Sequence, residues 1–188
     1  NIPMAMIGLL YALPDTQLTR RLKKENRLFD DTHNLSDNLD QVDQTVAGLN
    51  FKTQRPRKEI LEDFKKIIGT VYRTDVYFNR VLRLSKLLRI KIKHKPGFKG
   101  IKKMAKAFFT LIFKMGVFNK RALYFWRNVI AILFTRPSNL ETIVNLMAMH
   151  LHFYKQSQYI LTVMSDKIKE VEKVGEEEYN LAMVGSRA

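Results

Sequence analysis

The chain opens with a hydrophobic stretch, a turn and a basic amphipathic segment. Ile2–Leu13 is almost continuously hydrophobic, Pro14–Thr16 supplies the turn, and Leu18–Phe29 carries a strongly basic face. A strand that is buried on both faces reads as a continuous hydrophobic run. The succession is therefore typical of one β-α step of a parallel sheet.

This β-α step predicts a strand and a helix with definite ends. Pro3 lacks a backbone N–H and suits the first residue of a strand, which we place at about Pro3–Leu10. Thr16 is the predicted N-cap of a helix that ends near Asn26. No second step of this kind follows, although a parallel strand needs parallel neighbours. We therefore expect the chain to begin inside a larger protein, with the last strand and helix of that protein's sheet.

Two helices are predicted next. Pro56 suits the first position of a helix, and the hydrophobic stripe that follows it has helical spacing. A second helix is expected to begin near Thr74 or Asp75, both of which are reasonable caps. The basic segment Arg89–Lys103 contains Pro96, Gly97 and Gly100 and should end it. Three aromatic side chains at the elbow between the two helices are expected in the core: Tyr72, Tyr77 and Phe78.

The second half of the chain predicts further helices. Ile101–Val117 has a hydrophobic side and a lysine side, and Gly116 is expected to break it. Lys120–Phe134 is hydrophobic nearly all round, which predicts the buried centre of a bundle, with Trp126 in the core. Asn139–Val174 contains no Gly or Pro and predicts either one long helix or two.

A polar segment and an acidic tail complete the organisation. Residues 30–55 are predicted to form a connecting loop in which Gly48–Phe51 anchors the chain by returning to the core. His33 lies among aspartates, but the spacing matches no metal-ligand pattern, so a solvated loop is the better interpretation. The tail after Gly175 is expected to fray. The expected division is 1–29 (strand and helix), 30–55 (loop), 56–175 (helical domain) and 176–188 (tail).

The fold class that follows is mainly α, a bundle of five or six helices preceded by one β-strand and helix. The chain has 188 residues, which is enough for a sizeable core. No hydrophobic run approaches the ~18–20 residues of a membrane span, and the first segment lacks the basic start of a signal peptide. We expect a cytoplasmic location, with peripheral attachment to a membrane as the alternative.

The charge and the missing cysteines restrict the partners. The 33 Lys and Arg residues exceed the 18 Asp and Glu residues, for a net charge of +15. This excess favours an anionic partner: nucleic acid, an anionic membrane surface or an acidic protein face. The sequence contains no cysteine, which excludes a disulfide scaffold and any thiolate-held cluster within the chain.

Several motifs together resemble one enzyme class. The sequence GLLYALPDTQLTRRLKKENRL at residues 8–28 is similar to the closing barrel strand and helix of cobalamin-binding-type radical S-adenosylmethionine (SAM) enzymes. That class often has Gly-Leu-Leu-x-Ala-Leu-Pro-Gly-Thr followed by an Arg-Leu-x-x-Glu-x-Arg-Leu helix, and Asp15 replaces the commoner Gly. Gly48–Phe51 and the run from Pro56 to Arg80 resemble the helical C-terminal domain of one subgroup. His152–Lys155 is a weaker match, and the resemblance covers most of the chain.

The resemblance implies a role for the whole chain. It would be the C-terminal part of a radical SAM enzyme whose fuller form carries an iron–sulfur cluster and SAM, with the use of cobalamin left open. Reductive cleavage of SAM to a radical would modify an unactivated carbon. The chain has no Cys-x-x-x-Cys-x-x-Cys motif, so we expect it to hold no cofactor and to be inactive alone. Its helical domain would pack on the missing N-terminal barrel in cis and shape substrate access.

The resemblance also implies a candidate site. The C-terminal ends of barrel strands face the active site, and in this family the last strand end lies beside the SAM adenosine and the substrate. The residues implied to line that pocket are Leu10, Tyr11, Leu13, Pro14 and Thr16. The alternative interpretation is that the hydrophobic members of this set only fill the barrel core.

A basic helical module is the rival class. The lysine side of Ile101–Val117, with hydrophobic residues opposite, is typical of a membrane-surface helix and equally of a bundle helix with a solvated face. The predicted anionic-partner surface consists of Lys102, Lys103, Lys106 and Lys114. Nucleic acid is the less favoured partner, because the basic residues are dispersed and no helix-turn-helix or stacking set is present.

Overall fold

The computed structural model describes residues 2–29, 48–89, 108–117 and 121–185, and these residues are mainly helical, which confirms the predicted fold class. Residues 108–111 are α-helical and continue into a π-helical turn, Ile112–Val117, and a 3₁₀ turn occupies Pro137–Asn139. The longer helices are α1 (Gln17–Lys24), α2 (Arg57–Val71), α3 (Thr74–Leu87), α4 (Ala122–Thr135), α5 (Leu140–Val174) and α6 (Glu176–Gly185).

Local sequence signals set several helix ends. The hydroxyl of Thr16 accepts a hydrogen bond from the backbone N–H of Thr19 at 3.3 Å, so the predicted N-cap of α1 is confirmed. Asp15, which occupies the position where the resembled enzymes commonly have Gly, has a φ of 60°. Glycine adopts this left-handed conformation without cost, and aspartate tolerates it.

The expected strand at Pro3–Leu10 is wrong for the described residues, which contain no strand and only an isolated antiparallel bridge between Leu28 and Phe51. The segment is instead joined to the Gly48–Phe51 anchor, where the Leu49 N–H donates to the Leu10 carbonyl at 2.7 Å. A strand needs a continuous ladder of backbone hydrogen bonds, and this short neighbour does not supply one.

The chain divides into two compact units, and the division falls inside α2 and α5. The terminal unit comprises Met6–Gly69 and Ser157–Ala188. Hydrophobic side chains from α1, the anchor, α2, α5 and α6 form its core: Leu22, Leu49, Phe51, Leu61, Phe64, Ile68, Ile160, Met164, Ile168, Val171 and Tyr179. The predicted return of Leu49 and Phe51 to the core is confirmed.

The middle unit comprises Asn1–Ala5 and Thr70–Gln156. The three elbow aromatics are buried there, as predicted. The buried Asn128 donates to the Phe78 carbonyl at 2.8 Å and joins α4 to α3. Other hydrophobic side chains complete this core: Val81, Phe125, Val129, Ile132, Ile143, Val144 and Met147.

The prediction that α4 is the fully buried centre of a bundle is wrong. Only one of its two hydrophobic faces is covered, and Trp126, which was expected in the core, is 36% exposed. The segment before α4 is helical through Val117, the residue at which the sequence predicts its end, although its last turn is π-helical and includes Gly116. Residues 101–107, the first part of the expected Ile101–Val117 helix, lie outside the described residues.

The last helices settle two open points. Leu140–Val174 is one continuous helix, so the polar patch in its middle does not divide it. Gly175, with a φ of 85°, ends α5, and α6 follows at once, so the fraying expected after Gly175 does not occur through Gly185. The buried Tyr179 explains the order of α6, because it fixes this helix to the core of the terminal unit. None of the described helices meets the length and hydropathy needed to cross a membrane.

Candidate functional site: a hydrophobic groove and its anchor

The terminal unit contains a groove of about 620 Å³ beside residues 6–13, which we call the N-terminal segment. We call the groove itself the N-terminal groove. Its lining is mainly hydrophobic and comes from the N-terminal segment, α1, the anchor and α2: Ile7, Leu9, Leu10, Leu18, Leu22, Leu49, Phe51, Ile60, Phe64 and Ile67. Four charged residues also line the groove: Arg21, Arg27, Arg55 and Asp63.

One wall of the groove depends on close contact between two backbone segments. A Cβ atom at Gly48 would overlap the Leu9 Cβ and lie 2.8 Å from the Leu9 carbonyl carbon. The side chain of Asn50 accepts a hydrogen bond from the Ala12 N–H at 2.8 Å and donates to the Ala12 carbonyl at 3.1 Å. Asn50 therefore binds the backbone of the N-terminal segment in the way that a neighbouring strand would.

Arg57 binds the anchor through its buried side chain. Its side chain is almost fully buried, and its two terminal nitrogens donate to the carbonyls of Leu49 at 3.0 Å and Phe51 at 2.9 Å. Its Nε donates to the Asn180 Oδ1 at 3.1 Å, and its backbone N–H donates to Glu176 at 2.8 Å. Burial lowers the pKa of this guanidinium. Arg57 thus joins the anchor to α6 through four hydrogen bonds.

One residue of the anchor, Leu49, has a strained backbone conformation. Leu49 has a φ of 66°, a left-handed conformation that costs a side-chain-bearing residue about 1–2 kcal/mol. The conformation persists because both of its backbone polar groups are bound, the N–H to the Leu10 carbonyl and the C=O to Arg57. The anchor is therefore a tertiary feature that the surrounding contacts impose.

The charged groups of the groove have partners within the chain. Arg27 contacts Glu25 at 2.7 Å, and Arg55 contacts Asp63 at 2.9 Å. Arg21 lies 3.8 Å from Glu25. Among the described residues, no group of three or more His, Cys, Asp and Glu side chains could hold a metal ion. This chemistry suits binding of a hydrophobic group or a backbone segment and includes no arranged acid, base and nucleophile.

The structure distributes the predicted pocket residues over different positions. Leu10 lines the N-terminal groove, whereas Leu13 and Pro14 are exposed beside the turn and Tyr11 is half-buried. The Thr16 hydroxyl is engaged in the cap of α1, where it also donates to the Leu13 carbonyl at 2.9 Å. Their predicted role towards SAM or substrate stays a prediction. Lys102, Lys103 and Lys106 and the side chain of Lys114 lie outside what the structure describes.

A second polar feature, the buried His150 in the middle unit, was not predicted from the sequence. His150 is fully buried, and its ring lies 4.9 Å from the Tyr77 ring and 5.2 Å from the Phe78 ring. Its Nε2 is 3.3 Å from the Tyr72 carbonyl, and its Nδ1 has no hydrogen-bond partner. Burial, aided by the charge of Arg121, lowers the pKa of His150 to about 4. Nothing in the sequence distinguished it from His152, which is exposed on the same helix.

Comparisons with known proteins place these features in context. The family model described as "Domain of unknown function (DUF4070)" matches residues 16–165. A curated protein of Synechocystis sp., described as an uncharacterized methyltransferase, is 28% identical over 170 residues. The match covers 90% of this chain and 30% of that relative, so the chain spans less than a third of the relative's length. No solved structure matches the chain.

Proposed function

We propose that this chain, which belongs to the family described as "Domain of unknown function (DUF4070)", is the C-terminal part of a radical SAM enzyme. Residues 1–29 would close the catalytic barrel, and residues 56–175 would form a helical domain that packs on the barrel and shapes substrate access. The methyltransferase named among its relatives supports a SAM-dependent enzyme of greater length. The motif resemblance at residues 8–28 supports the radical SAM class.

The observation that carries this proposal is the backbone pairing of the N-terminal segment with the anchor. Leu10 and Ala12, two residues apart, both bind the anchor through their backbone groups. Backbone groups of an extended segment alternate between its two edges. The groups of Leu9 consequently belong to the opposite edge, which is where the preceding barrel strand would pair. The anchor would then cover the outer edge of the last strand.

The cofactors of the parent enzyme can be tested against the residues present. An iron–sulfur cluster is held by cysteine thiolates, and this chain has none, so the barrel would supply all of them. SAM, when bound, would supply the radical precursor. Leu10 and Leu13 expose hydrophobic surface that fits contact with its adenosine, whereas the Thr16 hydroxyl is already used by the α1 cap. Cobalamin in the parent stays a prediction.

The experiment is to express the protein with its upstream coding sequence, reconstitute it anaerobically with iron and sulfide, and add SAM and a reductant. We expect cluster absorbance at about 400 nm and cleavage of SAM to methionine and 5′-deoxyadenosine. The 188-residue chain, treated identically, is the control and should show neither. A longer protein that binds no cluster and leaves SAM intact would overturn the proposal.

A further inference from the structure

One face of α4 exposes hydrophobic side chains although the helix belongs to a compact unit. The exposed fractions are 77% for Leu123, 36% for Trp126, 51% for Ile130, 48% for Leu133 and 88% for Phe134. At 100° per residue these five positions fall within an arc of about 100°. The opposite side of α4 is buried through Phe125, Val129 and Ile132. The exposed arc is therefore a second hydrophobic face, separate from the one that fills the core.

The neighbouring helical segment enlarges this surface. Phe109, Phe113 and Val117 are each more than half exposed. The Trp126 Nε1 donates to the Gly116 carbonyl at 3.0 Å, which places this segment directly beside α4. We call the eight exposed side chains the α4 face. Contiguous exposed hydrophobic surface of this kind marks an interaction site.

The charge of the middle unit identifies the class of partner. Residues 70–156 contain 18 of the 33 Lys and Arg residues but only two of the 18 Asp and Glu residues, Asp75 and Glu141, for a net charge of +16. The rest of the chain has a net charge of −1. Essentially all of the protein's positive charge therefore lies in the unit that carries the α4 face.

We propose that the α4 face is an interfacial binding surface for a membrane that contains anionic lipid. Exposed aromatic and aliphatic side chains on a basic unit are the combination that inserts shallowly between lipid headgroups. Two copies of this unit would repel each other through their like charges, which disfavours a homotypic contact. Phosphate contacts to nucleic acid would use the charge but leave the hydrophobic side chains unexplained.

The geometry of α4 fixes how it would meet the membrane. Its 14 residues span about 21 Å, less than the ~30 Å of the hydrocarbon core. Its other face is committed to the core of the middle unit. The helix would therefore lie in the plane of the interface, with Leu123 and Phe134 at opposite ends of the contact. The inference requires that the helical domain packs on the barrel through a surface other than the α4 face. The longer protein of the reconstitution experiment should therefore bind the same vesicles, and loss of binding in it would assign the α4 face to the barrel.

The sole tryptophan of the chain provides a direct measurement, because Trp126 lies on the α4 face. The 188-residue chain is mixed at low salt with vesicles of phosphatidylcholine and phosphatidylglycerol in equal parts. We expect cosedimentation, a blue shift of Trp126 emission, and quenching when the phospholipid acyl chains are brominated. Vesicles of phosphatidylcholine alone should bind at least about tenfold more weakly, because they lack the anionic charge.

A matched pair of variants locates the surface. The double variant Leu123→Gln and Phe134→Gln changes two highly exposed residues without opening the core, and its vesicle binding should fall at least about tenfold. Leu181→Gln makes the same kind of change at a residue that is 70% exposed in the terminal unit, and it should bind like the wild type. Circular dichroism checks that all three proteins remain helical.

Several results would overturn the proposal. These are no binding to anionic vesicles at low salt, binding without bromine quenching of Trp126, and equal binding by the double variant. Self-association of the wild type that the double variant abolishes would assign the α4 face to a second copy instead. Binding of duplex DNA that is insensitive to the double variant, in the absence of vesicle binding, would assign the charge to nucleic acid.

Discussion

Arg57 shows how one buried side chain can hold together parts of the chain that are distant in sequence. Its guanidinium lies between the rings of Phe29 and Tyr179, with its carbon 5.6 and 5.7 Å from their centroids. A planar group that donates to the Leu49 and Phe51 carbonyls at once matches arginine and not lysine. The sequence did not single out Arg57, because nothing local distinguishes a buried arginine from a solvated one.

Arg57→Lys should destabilise the protein by about 2–3 kcal/mol in urea denaturation, because one ammonium replaces a forked donor and leaves buried carbonyls unsatisfied. Arg55→Lys, the same substitution two residues earlier, is the control. Arg55 is exposed and its ion pairs are on the surface, so the free energy of unfolding should change far less than it does for Arg57→Lys. Equal effects of the two substitutions would contradict the anchoring role of Arg57.

His150 should make stability depend on pH. Its pKa in the folded protein is about 4, below the ordinary value of 6.5, so the unfolded chain binds a proton more readily. The stabilisation is therefore fully present above about pH 6.5 and is lost as the pH falls towards 4. Between about pH 7.5 and about pH 5, protonation of His150 in the unfolded chain should lower the free energy of unfolding by about 2 kcal/mol.

The measurement compares wild type with His150→Gln, which keeps a donor near the Tyr72 carbonyl but does not titrate. The wild type should lose about 2 kcal/mol more than this variant over the same pH range. His152→Gln, on the same helix but exposed, should behave like the wild type. Parallel pH profiles for the wild type and His150→Gln would show that His150 is already protonated or solvated in the folded protein.

At the scale of elements, two glycines of the terminal unit should respond oppositely to alanine. Gly48→Ala would place a Cβ against Leu9, including its backbone, and should cost about 1–3 kcal/mol. Gly69→Ala lies inside α2, and its Cβ would meet only the Leu161 side chain at 3.6 Å, an ordinary contact. It should stabilise the protein by about 0.5–1 kcal/mol. Thermal unfolding distinguishes the two, and stabilisation by Gly48→Ala would refute the close packing of the anchor.

At the scale of the whole molecule, the separation of charge should govern any attachment to anionic surfaces. Replacing Lys102, Lys103, Lys106 and Lys114 together with Gln should weaken binding to the phosphatidylglycerol vesicles by more than about tenfold, because each lysine near such a surface contributes about 1 kcal/mol. Thermal stability should change little, since these changes remove charge and keep helix propensity.

The control removes the same number of charges from the terminal unit, at four exposed lysines: Lys23, Lys24, Lys52 and Lys173. Its net charge equals that of the first variant, so total charge cannot explain a difference between them. We expect the control to bind vesicles several-fold more tightly than the first variant. Equal loss in both would show that attachment depends on overall charge and not on the middle unit.

The sequence by itself determined the helical class, most helix ends and the buried elbow of Tyr72, Tyr77 and Phe78. These follow from short-range physics: the 3.6-residue period, the Thr16 cap and the breaking effect of Pro and Gly. The return of the anchor was also predictable from its hydrophobic residues. Prediction from the sequence was correct where the residues of an element themselves decide its conformation.

Only the tertiary structure decided which hydrophobic surfaces are covered. A helix such as α4, hydrophobic nearly all round, does not specify which of its faces meets a neighbour, so Trp126 was wrongly placed in the core. The expected strand failed for the same reason, since a strand exists only with a partner that supplies its hydrogen bonds. The burial of Arg57 and His150 likewise depends on residues that are distant along the chain. Periodicity is local, whereas burial depends on what the rest of the chain brings to each surface.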